Sequence, residues 1–286
     1  MDAKVITVVG GDKRNVELAK MLARRGHTVR MFGFSNYEGE MQYKNLYEAV
    51  NNADCIIGPI PCSHNGNALN VPFHNAPVYV EELFRIIKPH QLFLAGIIKP
   101  ELLQLASKYS IHMIDILTRE ELLVRNAIPT AEGAIKIAIE ETDITLHNNQ
   151  MYVIGYGRVG RVLAKMLDGL GAKVVVVVNK SESAALAETN GIKSIFFDDL
   201  EKSLKHADVI FNTVPTILLD SNNMKHIRKD TLIIDLASPP YGVDVNDSRD
   251  FGLKVLYASS LPGKIAPITT ASYLLDTVLD ILAEVD

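Results

Sequence analysis

Short runs of β-branched and apolar residues alternate with longer stretches in which apolar positions recur every three or four residues, and this alternation runs the length of the chain. Residues 4–9 form a β-branched run, residues 15–25 carry apolar side chains at helical spacing, and residues 28–32 are apolar again, which together predict a βαβ unit. Runs at 55–60, 92–95 and 112–116 continue as short buried strands, with helices expected at 80–87 and 100–108. Pro129 is then expected to open a long helix over 130–142, because its fixed φ and missing N–H suit a first helical turn. After His147-Asn148-Asn149 the pattern restarts, with strands predicted at 151–154, 173–178, 194–197, 209–213, 232–236 and 254–257. A last helix, 269–284, reads as apolar all round and is expected to pack back on the first domain. The pattern therefore predicts an α/β fold: two doubly wound parallel-sheet domains, Rossmann-like and flavodoxin-like, joined by a bridging helix at 129–142.

Composition changes this picture little but removes several functions. With 48% hydrophobic and 22% charged residues the chain is that of a globular protein with a sizeable core. The net charge of −5, with cations scattered among acids, leaves no basic stripe for nucleic acid and no polybasic membrane anchor. No apolar run approaches the roughly 18 residues of a membrane span, and the start of the chain lacks a signal-type apolar region, so a cytoplasmic protein is expected. Cys55 and Cys62 lack the paired spacing of a zinc or redox motif and are expected to be reduced and half-buried; no metal site is predicted.

The strongest chemical signal is the stretch MYVIGYGRVGRVLAKMLDGLGAKVVVVV. Gly155, Gly157 and Gly160 supply G-x-G-x-x-G between a predicted strand and a predicted helix, the context that a dinucleotide fingerprint requires. Gly155 permits the tight turn, Gly157 lets a pyrophosphate approach the backbone, and Gly160 lets helix approach strand; Tyr156, Arg158 and Val159 complete the loop. An acid after the next strand would favour the ribose of NAD, but here Asn179, Lys180 and Ser181 follow. Lys180 can pair with a 2′-phosphate and its neighbours can donate to it, which favours NADP over NAD; an ordinary polar loop is the plain alternative. Asn212, Thr213, Val214 and Pro215 follow one later strand, and Leu236, Ala237 and Ser238 follow another, so both loops are expected to border the cofactor. The dinucleotide domain is accordingly placed at 126–268, and a substrate domain at 1–125 plus 269–286.

The layout resembles that of the D-2-hydroxyacid dehydrogenases, but the chemistry of that family does not transfer. Its arginine position corresponds to Ser238, and its proline-histidine position to Pro262-Gly263-Lys264. A fuller resemblance covers nearly the whole chain. VVGGDKRNVELAKML from Val8, NAIPTAEGAI from Asn126, VIGYGRVG from Val153, NTVP from Asn212, DLASPP from Asp235 and LPGKIAPITTA from Leu261 look like the A subunits of dipicolinate synthase. The resemblance implies an NADP-dependent conversion of a hydroxy-tetrahydrodipicolinate, drawn from the lysine pathway, into dipicolinate in the mother cell of a sporulating bacterium. It also implies a partner, the second, flavoprotein-like B subunit of dipicolinate synthase, and a homo-oligomer is expected for such paired domains.

A ring carrying two carboxylates calls for cations, hydroxyl donors and helix N-termini. Lys264, Thr269 and Thr270 are read as preceding the last helix, Thr130 as lying at the start of the bridging helix, and Arg14 at the equivalent helix start of the first domain. Ser63 and His64 follow a strand, and Asn126 shares the IPTAEG segment expected to wall the pocket. Lys264, Glu132 and His64 are the catalytic candidates, and Arg14, Ser63, Asn126, Thr130, Thr269 and Thr270 the substrate-binding ones. Glu132 has a rival role as a first-turn acid favouring the helix dipole, and Arg14, Lys264 and His64 have the plain alternative of solvated loop residues. Gly133 occupies a helix interior, where glycine costs about 1 kcal/mol against alanine, and close approach of a ligand or of the neighbouring domain is one reason to accept that cost. Two other functions stay open: an NADP-binding scaffold for the partner, and an oxidoreductase of another cyclic imine or keto acid.

Overall fold

A computed structural model describes residues 2–37 and 41–285. The chain divides into two compact units, one of residues 1–123 with 266–286 and the other of residues 124–265. In chain order the first unit carries β1 (Val5–Val9), α1 (Lys13–Arg24), β2 (Thr28–Phe32), α2 (Leu46–Val50), β3 (Cys55–Ile57), α3 (Val80–Ile86), β4 (Leu92–Ala95), α4 (Pro100–Lys108) and β5 (His112–Asp115). Helix α5 (Glu120–Glu141) leads into the second unit. There follow β6 (Gln150–Ile154), α6 (Arg158–Gly169), β7 (Lys173–Val178), α7 (Ser181–Thr189), β8 (Lys193–Phe196), α8 (Leu200–Ser203), β9 (Val209–Asn212), α9 (Ser221–Met224), β10 (Leu232–Asp235), α10 (Val245–Asp250), β11 (Lys254–Tyr257) and α11 (Leu261–Ile265). Helix α12 (Pro267–Val285) closes the chain within the first unit.

All pairings between these strands are parallel, and each sheet is buried on both faces, which is why the strands read as continuous apolar runs. The first sheet has the order β2-β1-β3-β4-β5 and the second β11-β10-β9-β6-β7-β8. Counted within each unit these are the flavodoxin-like and Rossmann doubly wound orders, with the switch of direction between β1 and β3 and between β6 and β9. The five valines of β7 show how the layers form. Val174, Val176 and Val178 join the core that holds Leu163 and Leu167 of α6, whereas Val175 and Val177 join the core that holds Leu200 of α8 and Met224 of α9. Successive side chains point to opposite faces of a strand, so one apolar run supplies both cores.

Several expectations are corrected. The bridging helix begins at Glu120, not at Pro129, which lies inside it. The buried positions Ala127, Ala131, Ala134 and Ala138 keep one helical phase across Pro129, and this stripe outweighs the one backbone bond that proline cannot make. Thr130 and Glu132 are therefore mid-helix residues, and the dipole role proposed for Glu132 disappears. Thr130 instead donates its hydroxyl to the Asn126 carbonyl at 2.7 Å. The close neighbour of Gly133 is neither a ligand nor the other domain but α11 of its own unit: a Cβ there would lie 3.0 Å from Ile265 and 3.1 Å from Leu261.

The last helix starts at Pro267, two residues earlier than expected, so Thr269 and Thr270 belong to its first turn. It is also one-faced. Ala271, Leu274, Leu275, Val278, Ile281 and Leu282 form a buried stripe in one core with Val16, Leu18 and Leu22 of α1, while Asp276, Asp280 and Glu284 stay outside. Arg119 forks onto the carboxylate of Glu284 and ties the end of this helix to the start of α5. The strand predicted at 55–60 stops at Ile57, because Pro59 and Pro61 bring no N–H to a ladder.

Among the described residues no helix is long and apolar enough to cross a membrane, and no group of three or more His, Cys, Asp or Glu side chains is placed to hold a metal ion. Both cysteines are fully buried and not half-buried as expected, since each sits in the tightly packed layers beside β4. Burial pushes the Cys62 thiol up to about 12, and Cys55 higher still for the same reason. A thiol reagent at pH 8 should therefore label neither residue in the native chain and both after denaturation. Because the folded thiols ionise later than the unfolded ones, their contribution to stability is complete below the ordinary thiol range of about 8.5 and declines as pH rises toward 12. Rapid labelling of the native protein would contradict the packing.

Candidate functional site

Strands β6 and β9 lie side by side with Ile154 opposite Asn212, so the loops that leave them meet at the switch point of the second sheet. Gly155 turns the chain with φ +93, and its N–H donates to the Val177 carbonyl at 2.8 Å. A Cβ at Gly155 would lie 2.5 Å from Thr213 Oγ1, and one at Gly160 would lie 2.1 Å from the Gly155 carbonyl oxygen. These two glycines are therefore demanded by the protein's own packing. Thr213 locks the crossing by donating both its N–H and its hydroxyl to the Ile154 carbonyl, at 2.9 and 2.8 Å.

Gly157 differs from both. A Cβ there would meet nothing within 4 Å, and Gly157 is the N-cap of α6, with no side-chain acceptor for the first amides of that helix. A helix N-terminus left in this way has donors and a positive dipole end to offer an anion. The corresponding turn of the first unit is closed by the chain itself. Asp12 caps α1 and accepts from the Arg14 N–H at 2.9 Å, while the Arg14 guanidinium forks onto the same carboxylate. The open α6 turn therefore fits a pyrophosphate, and the α1 turn already holds a carboxylate in its place.

The α6 turn lines a cavity of about 420 Å³ that runs across the carboxyl ends of β8, β7, β6 and β9. Gly155, Tyr156, Gly157, Arg158 and Val159 form its middle. Val178, Asn179, Lys180, Glu182, Ser183 and Phe197 form one end, and Thr213, Val214 and Pro215 the other. Of these, Val178, Glu182, Ser183 and Phe197 were not anticipated. The strand order would have revealed Phe197, because β8 is the outer neighbour of β7 and its exit loop falls on the same edge. Ser181 is exposed in the first turn of α7 but does not line the cavity; the two residues after it do.

Asn212 is corrected from a cofactor contact to a buried brace. It is fully buried, and its Nδ2 donates to Asp235 Oδ1 at 2.9 Å and to the Val214 carbonyl at 3.0 Å, while its Oδ1 accepts from the Val214 N–H at 3.2 Å. Asp235, also fully buried, accepts from the N–H groups of Ala237 and Gly242 at 3.0 and 2.9 Å. The two side chains tie the exit loops of β9 and β10 together from beneath. Leu236, Ala237 and Ser238 lie outside the cavity lining, since β10 stands one strand further from the switch point than β9.

The substrate and catalytic candidates fall in both units. In the first, Arg14 is 5% exposed and donates to the Ile60 carbonyl at 2.8 Å, so it serves as a link between the exits of β1 and β3, with most of its donors engaged. Ser63 is buried and caps its own loop, accepting from Gly66 N–H and donating to the Ala68 carbonyl. His64 is exposed beside a shallow depression of about 290 Å³, and its carbonyl accepts from Lys99. Thr269 is exposed, but Thr270 is fully buried on the inner stripe of α12 and cannot present its hydroxyl to a ligand. In the second unit, Asn126 leaves its side-chain oxygen buried without a partner. Glu132 lies on the outer side of α5, beside Ile135, Ile139, Met166 and Leu170, away from the glycine loop. Lys264 is exposed, its ammonium donating to the Ser259 carbonyl at 3.0 Å. The structure thus gathers Gly155 to Val159, Asn179, Lys180 and Thr213 to Pro215 into one cavity, whereas neither Glu132 nor Lys264 of the same unit lines it.

Comparison with known proteins agrees with this architecture. Residues 5–117 match the family of N-terminal domains of dipicolinate synthase A subunits, and residues 136–252 match shikimate / quinate 5-dehydrogenase. The chain is 30% identical over 285 residues to the dipicolinate synthase A subunit of Bacillus subtilis (strain 168), covering 98% of this chain and 96% of that one. The crystal structure of the dipicolinate synthase A subunit from Bacillus halodurans superposes with a TM-score of 0.91 at 30% identity, covering 98% of each chain. That of its Bacillus subtilis counterpart superposes with a TM-score of 0.90 at 29% identity, covering 100% of this chain and 97% of that one.

The buried brace can be tested without any ligand. Asp235→Ala leaves the Asn212 amide and two backbone N–H groups without their acceptor, a loss of about 3 kcal/mol or more. The variant should melt earlier, with faster hydrogen exchange at Ala237 and Gly242; unchanged melting would show that the carboxylate is not what holds these loops.

Proposed function

The chain belongs to the family of dipicolinate synthase A subunits, and from that premise we propose that it is an NADP-dependent oxidoreductase that forms dipicolinate from a hydroxy-tetrahydrodipicolinate. The observation that carries the reading is the cavity around Gly157, where an uncapped helix N-terminus, a glycine with open space beyond its Cα, and Lys180 share one wall. The first amides of α6 would hold the pyrophosphate, Lys180 and Ser183 the phosphorylated ribose, and Thr213, Val214 and Pro215 would border the nicotinamide. A bound nicotinamide supplies a two-electron acceptor. The overall change in the substrate is loss of water and of two hydrogens, one as a proton, and the gain of aromaticity drives it.

What the protein's own residues add is placement. The Asn212–Asp235 brace fixes the loop that carries Thr213 to Pro215, so that wall is rigid before any ligand arrives. Lys264 holds a backbone carbonyl with its ammonium and is the cation of this unit proposed to meet a substrate carboxylate. The Bacillus subtilis relative is by name one subunit of a synthase, which supports a partner, proposed to be the flavoprotein-like B subunit. A cytoplasmic role in a sporulating cell follows from the same family reading.

With the hydroxy-tetrahydrodipicolinate generated in situ, reduced cofactor and dipicolinate should appear together, and faster with NADP than with NAD. Lys264→Ala should lower turnover while cofactor binding is retained, and Lys180→Ala should raise the KM for NADP by about tenfold or more. Dipicolinate formed without cofactor reduction, whatever the state of this cavity, would instead make the chain a scaffold for its partner.

A further inference from the structure

One end of the cavity carries two opposite charges. The ammonium of Lys180 stands 3.9 Å from Glu182 Oε1, with both side chains mostly exposed and both residues lining the wall. Strand β7 ends at Val178, and no acid stands at its exit, where a ribose-binding carboxylate would be expected. Helix α7 restores one from a different place. Lys180 is its N-cap and contributes no side-chain cap, and the first turn then brings Glu182 and Ser183 to the cavity.

The two charges act oppositely on the two forms of the dinucleotide. A 2′-phosphate is attracted by Lys180 and repelled by Glu182, whereas a 2′-hydroxyl can donate to the Glu182 carboxylate and gains little from the ammonium. At this exposure each effect is moderate and screened by salt. We propose that Glu182 is a selectivity-determining residue of this site: it accepts the ribose hydroxyl of NAD, opposes the phosphate of NADP, and so keeps the preference for NADP narrow. The inference rests on the reading of this cavity as the dinucleotide site. Glu182 also has an ordinary structural role open to it as an acid in the first turn of a helix, which would affect stability and not selectivity.

Equilibrium binding separates these roles. The full-length protein is titrated with NADPH and with NADH, followed by nicotinamide fluorescence, and melting is recorded for each variant. The wild-type chain should bind both, with NADPH favoured by no more than about tenfold, a difference of about 1.4 kcal/mol. Glu182→Gln should raise the NADPH to NADH affinity ratio by at least about threefold, by tightening NADPH and weakening NADH, and the gain should shrink in high salt. Lys180→Ala should move the ratio the opposite way. If Lys180→Ala shifts the ratio and Glu182→Gln does not, or only lowers melting, Glu182 is a helix-terminal acid and the proposal fails while the site reading stands. If neither dinucleotide binds the wild-type chain, both fail.

Discussion

The second unit is organised around the contact between the backbone of α6 and the exit of β6. With the Gly155 carbonyl oxygen 2.1 Å from where a Cβ of residue 160 would stand, helix and strand can meet there only through a glycine. That approach sets where the helix begins and leaves Gly157 at its tip, and it brings Thr213, at the exit of the neighbouring strand β9, close enough to bond the Ile154 carbonyl. The cavity, its glycine rim and the uncapped amides all follow from this one crossing.

The two units treat the same turn in opposite ways. Both place a glycine after the first strand and start a helix at once, and both sheets change direction there. In the first unit Asp12 supplies the negative charge that a helix start favours, and Arg14 neutralises it and reaches the next loop. In the second unit the N-cap is Gly157, which has no side chain to supply, so the same dipole is left for an outside anion. One fold thus yields a self-sealed turn and an open one through the identity of a single capping residue.

Beneath the open turn, polarity is concentrated in two fully buried side chains. Asn212 and Asp235 would be costly there without partners, and each of their contacts described above is to the other or to the backbone of the loops they brace. Gly242 is part of this economy of space, since a Cβ there would lie 2.2 Å from Asn212 Nδ2. The brace explains how exit loops of irregular conformation can present a fixed wall to a ligand.

By itself the sequence determined whatever depends on neighbours along the chain. The five valines of β7, the glycine fingerprint and the alternation of strand and helix are local patterns, and they were enough to place both sheets and the middle of the cavity. Tertiary structure decided which side chains converge. Pro129 reads locally as a helix start, yet a buried alanine stripe continues the helix through it, and that displaces Thr130 and Glu132 from the terminus. Thr270 reads as a loop donor but lies fully buried in the first turn of α12, and Asn212 reads as a ligand contact until Asp235 arrives from a strand 23 residues away. Glu182 and Phe197 join Lys180 only because α7 starts directly after β7 and β8 lies beside it. Periodicity and backbone freedom are properties of a segment, whereas the company a side chain keeps is a property of strand order and packing, which no single segment contains.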